Sequence, residues 1–329
     1  MLTPRVLLLI YNPVLETAGG VRLHQHLGWN DPDALCAGYI EDVYRASHGY
    51  VRYQIVERIE LDDYPRKQDG FRYTDETYLR AWRTQSGFHQ PDTADYAELL
   101  QRSDFVRKLE AGVVDELWVM AFPYGGLYES CMGGRGAIWC NGPVIPGTEG
   151  VSRRFVVMGF SFERGVGEML ENLGHRAESI LEHVFSDLPS PEQASRRLLD
   201  RLRTALARLL GRRSTSSTAP DLAGNLWWAF IRHEKTHPGQ AACGNVHFAP
   251  NSRQDYDWGN PAPVLSSADD WLSYPNLMGE QRWMTCADWG NGDIRLHHLW
   301  WFERFPHVEG FTPTGKRNNW WDYVVGLAF

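Results

Sequence analysis

RFVVMGFSFERGVGEMLENLGHRAESILEHVF, residues 154–185, decides the fold class. Phe155 to Phe160 is a β-branched and aromatic run, the pattern of a buried strand. Ser161 offers a hydroxyl as helix N-cap where the chain would turn. From Gly165 onward Val166, Met169, Leu170, Leu173, Ala177, Ile180, Leu181 and Val184 recur at helical spacing and define one apolar face. Glu168, Glu171, His175, Glu178 and Glu182 follow one another at three or four residues and form a second, polar stripe. Carboxylates around one imidazole suit a metal or acid–base site. A solvated, salt-bridged face around His175 and Arg176 gives the same pattern.

The flanking chain repeats the strand-then-helix alternation. Arg5 to Ile10 is a short apolar strand, and Asp31-Pro32 is an N-cap with proline at the first helical position, opening a helix to about Ser47. Tyr50 to Leu61 alternates as a strand, helical patterns follow at 75–86 and 93–111, and Val113 to Phe122 is a third strand. Strands separated by helices imply parallel crossovers, so residues 1–188 are expected to form a doubly wound, mostly parallel α/β layer. Such sheets bind ligands beyond the carboxyl ends of their strands. Those ends present Asn12, Asp62, Asp63, Tyr124, Glu129, Glu163 and Arg164. Neither G-x-G-x-x-G after the first strand nor a Walker loop is present, which argues against a nucleotide cofactor. The glycine-dense loop before residue 154 is long enough to carry function. Within it, Gly133-Gly134-Arg135-Gly136 fits an anion-binding nest or, better, a tight bend.

The 329 residues carry 33 Lys and Arg against 41 Asp and Glu, a net charge of −8, which argues against phosphate-backbone recognition. No apolar run approaches the ~20 residues of a membrane span, and the N-terminus reads as a first strand, so the expected location is cytoplasmic, with secretion of a processed form as the alternative. The five cysteines, scattered and without a C-x-x-C pair, read as small buried hydrophobes. Ten of the 14 tryptophans lie after residue 226. That shift sets the expected division: an α/β domain at 1–188, a basic helix and linker at 189–221, and an irregular Trp-rich lobe at 222–329 packed on the first domain. Arg196, Arg197, Arg201, Arg203, Arg208, Arg212 and Arg213 make the 195–213 helix basic, with its leucines as a packing face. Leu222 to Glu234 is the lobe's one long helical pattern.

Candidate chemistry comes in three groups. His175 and Glu178 project from one helical turn as metal ligands do, with Glu168 and Glu171 beside them. The irregular segment 243–257, carrying His247, Asn251, Asp255 and Asp257, could deliver further ligands. His175, Glu178 and His247 are therefore the expected ligands of a divalent metal such as zinc, and Glu168, Glu178 and Asp255 the assisting carboxylates. His175 stands about a dozen residues into its helix, roughly 18 Å from its start, which separates it from the strand-end residues near Glu163. The second group is His233-Glu234-Lys235-Thr236-His237, an H-E-x-x-H match, whose helix is opposed by Pro238. The third, His297-His298 beside Trp300-Trp301, puts its histidines on opposite faces if it is a strand. The tryptophans with nearby Asp and Asn also suit a saccharide surface, although core filling explains them more simply.

GFSFERGVGEMLENLGHRAES, CGNVHFAPNSRQDYDWGNP and HHLWWFERFPHVEG with NNWWDYV resemble segments of a family of uncharacterised bacterial and fungal proteins. The resemblance covers most of the chain, implies no particular activity or catalytic residue, and favours export.

The sequence thus points to a metal-dependent hydrolase, peptidase activity included, with its site between the 163–185 helix and the 243–257 loop and a metal-activated water as nucleophile. The alternative is a carbohydrate-binding or glycoside-cleaving protein that uses the Trp-rich lobe. The expected partner is a small-molecule, peptide or glycan substrate, not nucleic acid.

Overall fold

In the computed structural model, which describes residues 1–189 and 219–329, the expected strands assemble into one five-stranded sheet. Its members are β1 (Arg5–Tyr11), β2 (Gln54–Leu61), β3 (Glu116–Ala121), β4 (Ser130–Gly133) and β5 (Phe155–Ser161), in the order β2-β1-β3-β5-β4. All neighbours run parallel except β4, which pairs antiparallel with β5. β1, β3 and β5 are the near-continuous apolar runs that a sheet covered on both faces requires. Helices α1 (Pro32–Ala46), α2 (Asp75–Thr84), α3 (Tyr96–Arg102), α4 (Phe105–Glu110) and α5 (Val166–Phe185) flank it. The mixed α/β class and the mostly parallel sheet are as the sequence predicts. Strand β4 is not. It lies inside the glycine-dense loop, where Gly133 packs so closely on the Phe155 ring, and Gly134 on the Arg153 carbonyl, that a Cβ at either would fall within 3.0 Å. The glycine run serves packing, not an anion nest.

Several element boundaries differ from expectation for local reasons. The single helix predicted at 93–111 is two, because Asp104 adopts a left-handed φ of 53° between them. Ser161 is the last residue of β5, and α5 starts after a turn at 162–165. Glu168, not Ser161, serves its start: one carboxylate oxygen accepts from the Gly165 amide at 3.0 Å. The helix expected at 222–234 is only α6, Leu226–Phe230, capped by the Asn225 side chain on the Trp228 amide. Beyond it the amides of Cys243 and Ala242 claim the carbonyls of Phe230 and Arg232, which ends the helical ladder. His297 and His298 lie in α7 (Ile294–Phe302), not in a strand, and both are fully buried.

The chain forms two compact units: 1–45, 49–179 and 325–327 in one, and 46–48, 180–324 and 328–329 in the other. The first holds the sheet. The second is short on regular structure and built around aromatic contacts such as Trp227–Trp320, Phe230–Trp301 and Trp271–Trp320. Of the ten tryptophans after residue 226, eight are buried, and only Trp228 and Trp283 are exposed. Most of the tryptophan enrichment is therefore core filling. The Arg-rich 195–213 segment lies outside the described residues. Among the described residues no helix is long and apolar enough to cross a membrane. All five cysteines are free thiols, four of them buried.

Sequence periodicity puts Arg176 beside the polar stripe, yet it points into the core. It is 0% exposed and makes a two-pronged ion pair with Glu116 of β3, itself 2% exposed, at 2.7 and 3.0 Å. Trp118 donates to the same carboxylate at 3.2 Å. Burial disfavours the guanidinium charge, but Glu116 more than compensates and raises its pKa. Fully enclosed charges persist only when paired in this way. Arg176→Met should leave Glu116 buried and uncompensated and cost about 3–5 kcal/mol in chemical denaturation. The double variant Arg176→Met/Glu116→Gln should lose clearly less than the two single losses added together.

Candidate metal centre and cavity

A cavity of about 590 Å³ opens at the carboxyl ends of β3 and β5 in the first unit, where the sheet rule places ligands. Its walls are the 122–129 segment that leaves β3, the 161–165 turn and the first turns of α5. The 122–129 segment is held from behind. Lys67, fully buried, reaches Asp92 at 2.5 Å and the Tyr124 carbonyl at 2.6 Å. Gly126, at φ +85°, lies so close to the Asp92 carbonyl, the Ala94 amide and the Lys67 ammonium that no side chain fits there. Tyr124 is itself left-handed at φ 62°, and its ring stacks on Phe88. The segment then passes over β5 at Gly159, where a Cβ would meet the Tyr128 carbonyl at 2.3 Å, and the Gly159 amide donates to the Glu129 carbonyl at 3.0 Å. This crossing brings Glu129 to α5.

There Glu129 meets the polar stripe of the helix. His175 Nε2 lies 3.8 Å from a Glu129 oxygen and 4.0 Å from a Glu171 oxygen, while Nδ1 is 3.0 Å from Glu178. Asn141 hydrogen-bonds the Glu129 carboxylate, and the Asn141 amide is held by the Ser179 hydroxyl. Glu171 is buried and His175 half-buried, so this part of the stripe is not a solvated face, whereas Glu182 is exposed. Burial disfavours a charged imidazole, but the Glu178 hydrogen bond and the charges of Glu178, Glu129 and Glu171 outweigh it and raise the His175 pKa. Glu171 and His175 belong to a group of side chains that could hold a metal ion. Because Glu129 lines the cavity as well, the strand-end pocket and the His175 cluster share a residue. The separation expected from helix rise alone is bridged by a loop that helix geometry does not describe.

Of the other candidates in the first unit, Glu168 lines the cavity while capping the start of α5. The strand-end residues Asn12, Asp62 and Asp63 are occupied structurally. Asn12 bonds His24 and Glu60, Asp62 accepts from the Val14 amide, and Asp63 pairs with Arg72 and Arg102. Asn141, Lys67 and Asn172, whose amide donates to the Gly159 carbonyl at 2.7 Å, escape sequence reasoning because their roles depend on contacts distant in the chain.

In the second unit, His247 Nδ1 lies 3.9 Å from Asp255, and its Nε2 lies 3.3 Å from the Tyr256 hydroxyl. Asn251 and Asp257 brace the same loop, with Asn251 donating to two carbonyls and Asp257 accepting from Arg253 and Asn260. The H-E-x-x-H match is not helical. It forms a turn in which Glu234 accepts from the Gly239 amide and the Thr236 hydroxyl contacts both His233 and His237. His233 stacks on Phe248. Pro238 and the turn deny the motif the single helical face that zinc binding by H-E-x-x-H needs.

Comparison of the chain with protein-family models, with curated proteins and with solved structures returned no match.

Burial, aided by the neighbouring His237 and Lys235, pushes the His233 pKa down to about 4. Unfolded, the imidazole takes its proton near about 6.5, so between these values the unfolded chain binds more protons and stability rises with pH. Acidification from pH 6.5 towards 4 should therefore destabilise the protein. His233→Gln should make that dependence shallower by up to about 1.4 kcal/mol per pH unit in this window, read from denaturant midpoints at several pH values.

Proposed function

We propose that the protein is a metal-dependent hydrolase acting on a small polar substrate in the β3–β5 cavity, with His175 and Glu171 at the heart of its metal-ligand set. The supporting observation is the convergence of Glu129, Glu171 and Glu178 within 4.0 Å of one imidazole, beside a cavity that Glu129 also lines. Imidazole and carboxylate donors suit zinc or another divalent first-row ion. The Glu178 contact to Nδ1 fixes the ring and turns Nε2 towards Glu129 and Glu171, the orienting arrangement common behind metal-bound histidines. This supports Glu178 as an orienting residue and Glu129 as a ligand that sequence spacing alone does not suggest. A divalent ion held there supplies a Lewis acid that makes a coordinated water nucleophilic near neutral pH. Glu168, on the cavity wall, is the assisting carboxylate of this unit. His247 and Asp255 belong to the second unit; their assignment to the same chemistry comes from the sequence and is tested by their own variants.

Metal content by mass spectrometry on the untagged full chain tests the proposal. About one zinc-like ion per chain is expected, lost in His175→Ala and in Glu171→Gln and retained in His233→Ala/His237→Ala. His247→Ala and Asp255→Asn should lower occupancy or activity if the sequence assignment holds. Folded wild-type protein without stoichiometric metal, or loss confined to the His233/His237 variant, would sink the proposal.

A further inference from the structure

Glu129 is the least constrained of the proposed ligands. Glu171 and His175 stand on α5, whereas Glu129 lies in irregular backbone just before β4, with its side chain 39% exposed. A long side chain so placed has several staggered conformations open to it, and few of them point at His175. Among the described residues one hydrogen bond reaches its carboxylate, from the Asn141 side-chain amide. That bond falls on the same oxygen that stands 3.8 Å from His175 Nε2.

Asn141 is itself fixed from two sides. Its backbone amide donates to the Ser179 hydroxyl at 3.1 Å, and this hydroxyl donates to the His175 carbonyl at 3.0 Å. On the other side the Ser130 hydroxyl of β4 donates to the Cys140 carbonyl at 2.8 Å. Gly142 sits so tightly on β4 that a Cβ there would meet the Cys131 sulfur and the Ser130 carbonyl oxygen at 2.6 Å. Between these anchors Asn141 takes a left-handed φ of 51°. Glycine adopts that conformation without strain, and asparagine only tolerates it. Glycine would therefore suffice for the turn. A side chain held there by over-determining contacts points to a task of its own.

We propose that Asn141 is a positioning residue of the candidate metal centre. Anchored to α5 one turn beyond His175, it sets the Glu129 carboxylate against His175 Nε2. A hydrogen bond to an ionised acceptor is about twice as strong as a neutral one, and such an outer partner orients a ligating carboxylate. The proposal rests on the metal-dependent reading for what Glu129 then binds, though not for how Glu129 is placed.

Asn141→Gly separates the side chain from the turn, because glycine keeps the left-handed φ. The test compares wild type and variant, both as full chains, by crystal structure, by zinc affinity in competition with a chromophoric chelator, and by denaturation midpoint. The 140–142 turn and the midpoint should stay as in wild type. The Glu129 carboxylate should turn away from His175, and zinc should bind about 10–100-fold more weakly. Glu129 in its wild-type place in the variant overturns the proposal, whether or not zinc binds. Weaker zinc binding that comes with a displaced turn or a lowered midpoint also overturns it, since the role is then structural. Zinc held equally tightly by both proteins would sink this proposal alone. Glu129 displaced in the variant, with no zinc bound even by wild type, would sink the hydrolase reading alone.

Discussion

The buried pair of Arg176 and Glu116 sets the geometry on which the first unit depends. A guanidinium with no exposed surface has one tolerable orientation, the one that meets the Glu116 carboxylate on β3. Asn172, one turn earlier on the same side, donates to the Gly159 carbonyl of β5. Together they fix how α5 is rotated about its own axis. With Arg176 locked inward, the neighbouring stripe of Glu171, His175 and Glu178 must face the segment that delivers Glu129, because successive helical residues differ by about 100°. The candidate metal centre is a consequence of how the helix is anchored, not only of which residues it carries.

The same segment ties that centre to the cavity. Gly159 allows the 127–129 backbone to lie directly on β5, and Lys67 with Gly126 clamps the 122–126 wall. The outcome is one continuous polar region at the carboxyl ends of β3 and β5, with metal-type donors at one end and aromatic and acidic walls at the other. Glu168 neutralises the helix end that would otherwise attract an anion.

The sheet was legible because β1, β3 and β5 are dense apolar runs and α5 has a long periodic face; burial leaves such segments few alternatives. His175, Glu171 and Glu178 were legible as a stripe for the same reason. Arg176 was not, since a charged residue is expected outward and its partner Glu116 lies 60 positions away. The distance argument that parts His175 from Glu163 holds, since His175 does not line the cavity, but it considered the helix alone and so missed Glu129, which arrives by a loop crossing that Gly159 permits. The sequence left the local structure of His297 and His298 open, and packing makes their segment a buried helix. H-E-x-x-H matched a pattern whose helix Pro238 and the local turn preclude.

The most direct measurement is an anomalous difference map, collected at the zinc absorption edge from crystals of the full chain equilibrated with zinc. The account predicts a peak bounded by His175 Nε2 and the Glu129 and Glu171 carboxylates, at about 2.0–2.2 Å from its ligand atoms. Absence of a peak there, or a peak at His233 and His237 instead, would contradict it.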